Sequence, residues 1–150
     1  MNEKLVVVLD LGRLRAYRLK QGREFSEPGL ELIEDWQTEV RRHLSEEVTD
    51  EAGRFRKGTA HTEGPSALSD GEQHNLDLER RRRALKTLAA RVDTLLDREQ
   101  PAEVYLAADK RINQPLLDEL QGRNRAKIQK NLTCDLSKAS PREVLNHFCE

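Results

Sequence analysis

Four consecutive arginines, Arg80 to Arg83, form the densest cluster of chemistry-bearing side chains in the chain. Guanidinium groups donate in a planar fork that matches phosphate oxygens. On a helix each residue turns about 100° around the axis, so four in a row point nearly all the way round. A turn with cations on every side does not lie flat on an apolar sheet, because at least one charge would be buried unpaired. This half of the helix is therefore expected to project past the sheet edge into water. RNA phosphate or a ribosomal surface is the partner such a projection suits. A solvated helix face, balanced by Asp77 and Glu79, is the plainer alternative. Arg123, Arg125 and Lys127 make a second basic stretch, extended by Lys130. Aromatic residues are only 4% of the chain and none interleaves with these arginines. Binding would thus go to backbone or shape rather than to stacked bases.

Carboxylates offer a second chemistry. Asp10 follows the first apolar run, Asp109 closes a later one, and Glu72, Asp77 and Glu79 lie along the helix that carries the arginines. Aspartates at the ends of paired strands can hold divalent metals for in-line attack on phosphate. A nuclease reading would use Asp10, Asp109 and Asp77. Asp10 is explained more simply as the residue that closes a turn with Gly12 and Arg13. Cys134 and Cys149 lack the partners of a zinc site and are expected to stay reduced. Ser66 and Ser69 lack a strand–turn–helix elbow, and no glycine-rich phosphate loop occurs. No metal, cofactor or catalytic residue is expected on the leading reading.

The elements that position these residues follow from periodicity. Lys4 to Leu11 is nearly all apolar and reads as a central strand. After a turn at Gly12 and Arg13, Arg15 to Lys20 alternates. Ala16, Arg18 and Lys20 fall on one side and Arg15, Tyr17 and Leu19 on the other, which suits a half-exposed second strand. A third strand falls within Leu30 to Trp36, where Leu30, Leu32 and Trp36 share parity and Glu34 interrupts them. Val40 and Leu44 allow a short helix. Gly58 to about Asp70 is rich in Gly, Ser, Thr, Pro and His and is expected to be a flexible loop, at about 58–70. A helix then runs from Asp70 to about Arg98, with Leu85, Leu88, Ala89, Val92, Leu95 and Leu96 in one stripe. Glu103 to Ala108 gives a fourth strand. Asn113, Gln114 and Pro115 start a short helix that Gly122 stops. A fifth strand lies within Ile128 to Leu136. Ser140-Pro141-Arg142-Glu143 is a capping box that opens the last helix.

The order is three meandering strands, then helix, strand, helix, strand, helix. It predicts an α/β fold with a mixed five-stranded sheet and crossover helices, in ribonuclease-H-like order, as one domain over 1–150.

Asp10-Leu11-Gly12-Arg13-Leu14-Arg15-Ala16-Tyr17 resembles the opening of bacterial host attachment proteins. Asp50-Glu51-Ala52-Gly53-Arg54-Phe55 resembles their middle. Asp135-Leu136-Ser137-Lys138, followed by Ser140-Pro141-Arg142-Glu143-Val144-Leu145, resembles their end. The resemblance implies kinship with the middle domain of archaeal and eukaryotic peptide-chain release factors, which is ribonuclease-H-like and has a long helix. It also implies a role connected with attachment to host cells. Release factors carry Gly-Gly-Gln at the tip before that helix. Here the tip residues are Gly71, Glu72 and Gln73, with one glycine and an acid ahead of the glutamine. Peptidyl-tRNA hydrolysis is therefore not carried over. The expectation is a non-catalytic, translation-related, RNA- or ribosome-binding adaptor.

Bulk composition bounds the rest. Apolar residues are 36% and charged residues 35% of 150, and net charge is −1. Overall charge predicts no polyanionic partner, so any such argument rests on local patches. The segment 24–51 holds ten acidic residues against two arginines. It could meet a basic protein partner or a second copy. No stretch reaches the roughly 18 apolar residues of a membrane helix. With no secretory signal at the N-terminus either, the expected location is cytoplasmic.

Overall fold

A computed structural model describes residues 3–22, 27–38 and 70–149. The expected helix at Val40 and Leu44, the loop at 58–69 and most of the acidic 24–51 segment lie outside these residues. Five strands form one sheet: β1 (Lys4–Leu9), β2 (Arg13–Lys20), β3 (Gly29–Gln37), β4 (Glu103–Ala108) and β5 (Ile128–Leu132). Their order is β3-β2-β1-β4-β5. β1 pairs antiparallel with β2, and β2 with β3. β1 pairs parallel with β4, and β4 with β5. The helices among the described residues are α1 (Asp70–Glu99), α2 (Lys110–Glu119), α3 (Gly122–Arg125) and α4 (Pro141–Cys149). This is the mixed α/β sheet expected, and its order is consistent with ribonuclease-H-like topology.

β1 is central and covered on both faces, which explains its unbroken apolar run. Leu5, Val7 and Leu9 face α1 and α2, packing with Leu88, Val92, Leu95, Leu96 and Leu116. Val6 and Val8 face the other way, toward Val144 and Phe148 of α4. β2 departs from the half-exposed strand expected: Ala16 and Tyr17 are both buried, on opposite faces. It lies second from the edge, and Tyr17 joins the Val144–Phe148 cluster on the α4 side. In β3 the shared parity of Leu30, Leu32 and Trp36 breaks at a bulge. Ala16 pairs with Glu34 but Tyr17 with Leu32, leaving Ile33 as the extra residue. An extra residue flips the side chains beyond it, so Leu30 packs on the α4 side and Trp36 on the α1 side.

α2 begins at Lys110, not at Asn113. Asp109 caps it by accepting from the Arg111 N–H at 3.3 Å. Asn113 lies inside the helix and is buried, donating to Asn131 Oδ1 at 2.7 Å and to the Leu132 carbonyl at 3.1 Å. Gly122 does not stop α2 but opens α3. The stop is Leu120, whose backbone turns extended. The Gln121 N–H and the Asn124 amide then donate to buried Asp93 on α1, at 3.2 and 2.7 Å. At α4 the Ser140 hydroxyl accepts from the Glu143 N–H at 3.2 Å, the N-cap half of the expected capping box.

Candidate nucleic-acid interface

The long helix divides into two parts. From Ala84 onward one stripe is buried, through Leu88, Ala89, Val92, Leu95 and Leu96. From Asn75 to Arg83 every residue is exposed, whichever way it points. Polar links hold the buried part to the sheet and to α3. Arg91 pairs with Glu34 of β3 at 2.7 Å, and its guanidinium lies 5.3 Å from the Trp36 ring centre. Arg18 of β2 pairs with Glu99 at 2.9 Å. The exposed part has no such tie among the described residues. Arg83 meets Glu79 at 3.4 Å, one helical turn away, and both are largely exposed. Arg80, Arg81 and Arg82 make no ion pair among the described residues. Pairs this exposed contribute little to stability.

The second basic stretch sits elsewhere and is partly neutralised. Arg123 grips Asp97 with both arms of its fork, at 3.1 and 2.8 Å. That hydrogen bond raises the Arg123 pKa and holds the Asp97 carboxyl below its ordinary value. Arg125 approaches Asp118 at 3.9 Å. Lys127 is partly buried between α3 and β5. Asp97 lies fifteen residues beyond Arg82, which is about 22 Å along a helix. The two basic stretches therefore do not form one patch.

Gly71, Glu72 and Gln73 belong to the first turn of α1 rather than to a loop tip before it. α1 begins at Asp70, where the sequence places its start, so these three residues fall within it.

The carboxylates named for a nuclease are divided among other tasks. Asp10 and Asp109 do follow paired positions, since Leu9 is opposite Ala108 in the parallel β1–β4 ladder. Asp109 caps α2. Asp10 closes its turn as expected, accepting from the Gly12 N–H at 2.7 Å. Its other oxygen accepts from the buried Ser137 hydroxyl at 2.8 Å. That hydroxyl also lies within hydrogen-bond distance of Asp135, which accepts the Ser137 N–H at 2.9 Å. Asp77 lies on the exposed half of α1. Among the described residues no three His, Cys, Asp or Glu side chains come close enough to hold a metal.

The Asp10–Ser137–Asp135 bridge was not foreseen as a unit. Its signal was present in part. Asp10 opens the first stretch that resembles host attachment proteins, and Asp135 and Ser137 open the last. The fold brings those two stretches into direct contact.

A family model described as "Protein required for attachment to host cells" matches residues 5–148. The chain belongs to the host attachment family. No curated protein matches it. No helix among the described residues is long and apolar enough to cross a membrane.

The acidic residues of this family member that fall on β3 are occupied within the chain. Glu31 meets Arg18 and Lys20, both at 3.5 Å. Asp35 takes the fork of Arg13 at 2.9 and 2.6 Å. That bond raises the Arg13 pKa.

Proposed function

We propose that this member of the host attachment family is a non-catalytic adaptor that binds RNA, free or on the ribosome, through the Arg80–Arg83 turn of α1. The observation that carries the reading is the exposure of all four arginines on a helical segment no other described element covers. Among the described residues this cluster holds one exposed pair, Arg83 with Glu79, so it is available to phosphate; a cation tied up by a carboxylate fork, like Arg123, is less so. Gly71-Glu72-Gln73, in the first turn of α1, lack the paired glycines that would let backbone approach a reacting ester. An adaptor role is thus preferred to a hydrolytic one. A cytoplasmic RNA-binding role would connect the protein to host attachment indirectly, through the RNAs it engages.

The test is binding of purified ribosomal RNA at low and moderate salt. The wild-type chain is expected to bind, with affinity falling as salt rises. Replacing all four arginines with glutamine is expected to weaken binding by roughly a hundredfold or more, given about 1.5–3 kcal/mol for each charge-assisted hydrogen bond. Circular dichroism should show an unchanged fold. A wild-type chain with no RNA affinity at low salt overturns the proposal. Pull-down from lysate with and without ribonuclease separates the rival scaffold reading, in which a protein partner survives ribonuclease.

A further inference from the structure

Resting on the RNA reading above, we propose that the Arg80–Arg83 turn is enclosed by RNA, in a major groove opened by a bulge or internal loop, rather than laid against a flat RNA surface. The argument is angular. Four side chains at about 100° steps cover about 300° of the helix circumference. A surface beneath a helix meets an arc of about 100°. That arc holds two of the four guanidinium groups and leaves the other two in water. Only a concave polyanion can reach all of them.

The segment has the freedom this requires, because Asn75 to Arg83 are exposed on every side. It measures about 13 Å along the axis and runs up to Ala84, which is buried. Apolar docking of the same segment fits poorly. Leu76 and Leu78 are each 46% exposed. Two residues apart on a helix, they stand about 160° from one another. A partner helix that covers one leaves the other in solvent. Asp77 and Glu79 interleave with the arginines around the helix, and among the described residues only Glu79 holds one of them, Arg83. That pair is largely exposed and weak, so all four guanidinium groups are open to phosphate.

The shape of the groove follows from size. A helix with its side chains is about 10–12 Å across. The major groove of regular A-form RNA is deep and too narrow for side chains to read. Unpaired nucleotides must therefore widen it before the helix can enter.

The experiment uses the full chain and two RNA stem-loops of equal length and charge, one fully paired and one with an internal purine bulge. A B-form DNA duplex serves as a third probe. Each arginine is replaced singly by glutamine, a comparable helix former, so the helix persists. The bulged stem is expected to bind at least about tenfold more tightly than the paired one. All four single variants should weaken binding to it. Each should lower the slope of log affinity against log salt by about 0.9, the share of one phosphate contact. Equal binding to both stems, with two neighbouring arginines important and two silent, overturns enclosure and leaves the RNA reading intact. Tighter binding to the DNA duplex overturns enclosure by RNA. Failure of the wild-type chain to bind any of these RNAs at low salt overturns both readings.

Discussion

Ser137 reaches a residue 127 positions away in sequence, because its hydroxyl donates to Asp10 while lying beside Asp135. A hydroxyl has one hydrogen, so two carboxylates compete for it; the Gly12 N–H donates to the other oxygen of Asp10, and the Ser137 N–H donates to the same Asp135 oxygen that the hydroxyl faces. Removing the hydroxyl brings two like charges together without a donor between them. Ser137→Ala is expected to lower unfolding stability by about 0.5–1.5 kcal/mol, the net worth of one hydrogen bond, because the carboxylates left behind are part-exposed at Asp10 and exposed at Asp135. Urea denaturation at neutral pH measures it; an unchanged midpoint would show that the bridge is ornamental. At this scale the sequence disclosed local roles only. The turn at Asp10 was legible because an aspartate two residues before a glycine acts within its own neighbourhood. The partnership with Ser137 was not, because nothing local links the two ends of the chain. Asn113 shows the same limit: read as a helix start, it is a buried amide paired with Asn131.

At the scale of elements, α1 combines two environments in one continuous helix. Leu88 is fully buried between helix and sheet, whereas Arg82 is exposed. Leu88→Ala is expected to cost about 2–5 kcal/mol by leaving a cavity. Arg82→Gln should change stability by no more than about 0.5 kcal/mol. Thermal or chemical denaturation of the two variants checks the contrast. A large loss from Arg82→Gln would mean the arginine turn is part of the folded body. The division of α1 was legible in sequence, since an apolar stripe and a run of four cations cannot share one buried face. The bulge in β3 was not. One extra residue at Ile33 changes which face Trp36 occupies, and that choice is made by pairing with β2 and by the Arg91 stack on Trp36. The start of α2 was misplaced for a related reason. Pro115 suits a first helical turn, but Asp109 at the end of β4 offers a cap one turn earlier.

For the whole molecule, the sheet anchors one end of the long helix and leaves the other outside the packed layers. Backbone amides over Leu88–Leu96 are expected to exchange hydrogen at least about tenfold more slowly than those over Asn75–Arg83. Exchange followed by mass spectrometry or NMR reads this directly, and uniform protection along α1 would contradict a projecting half. The amino-acid sequence by itself determined the order of the strands and of the three longer helices, though not the short α3, together with the central place of β1 and the two-part character of α1. Each of these is written in short-range periodicity, which needs only neighbours three or four residues away on a helix and two on a strand. Tertiary structure decided what depends on distant pairing. It set β1 between β2 and β4, brought Asp10 to Ser137 and tied Arg123 to Asp97. It kept the second basic stretch at the far end of α1 from the first. Those outcomes depend on which surfaces meet when the chain closes, and no local pattern encodes a meeting between segments a hundred residues apart.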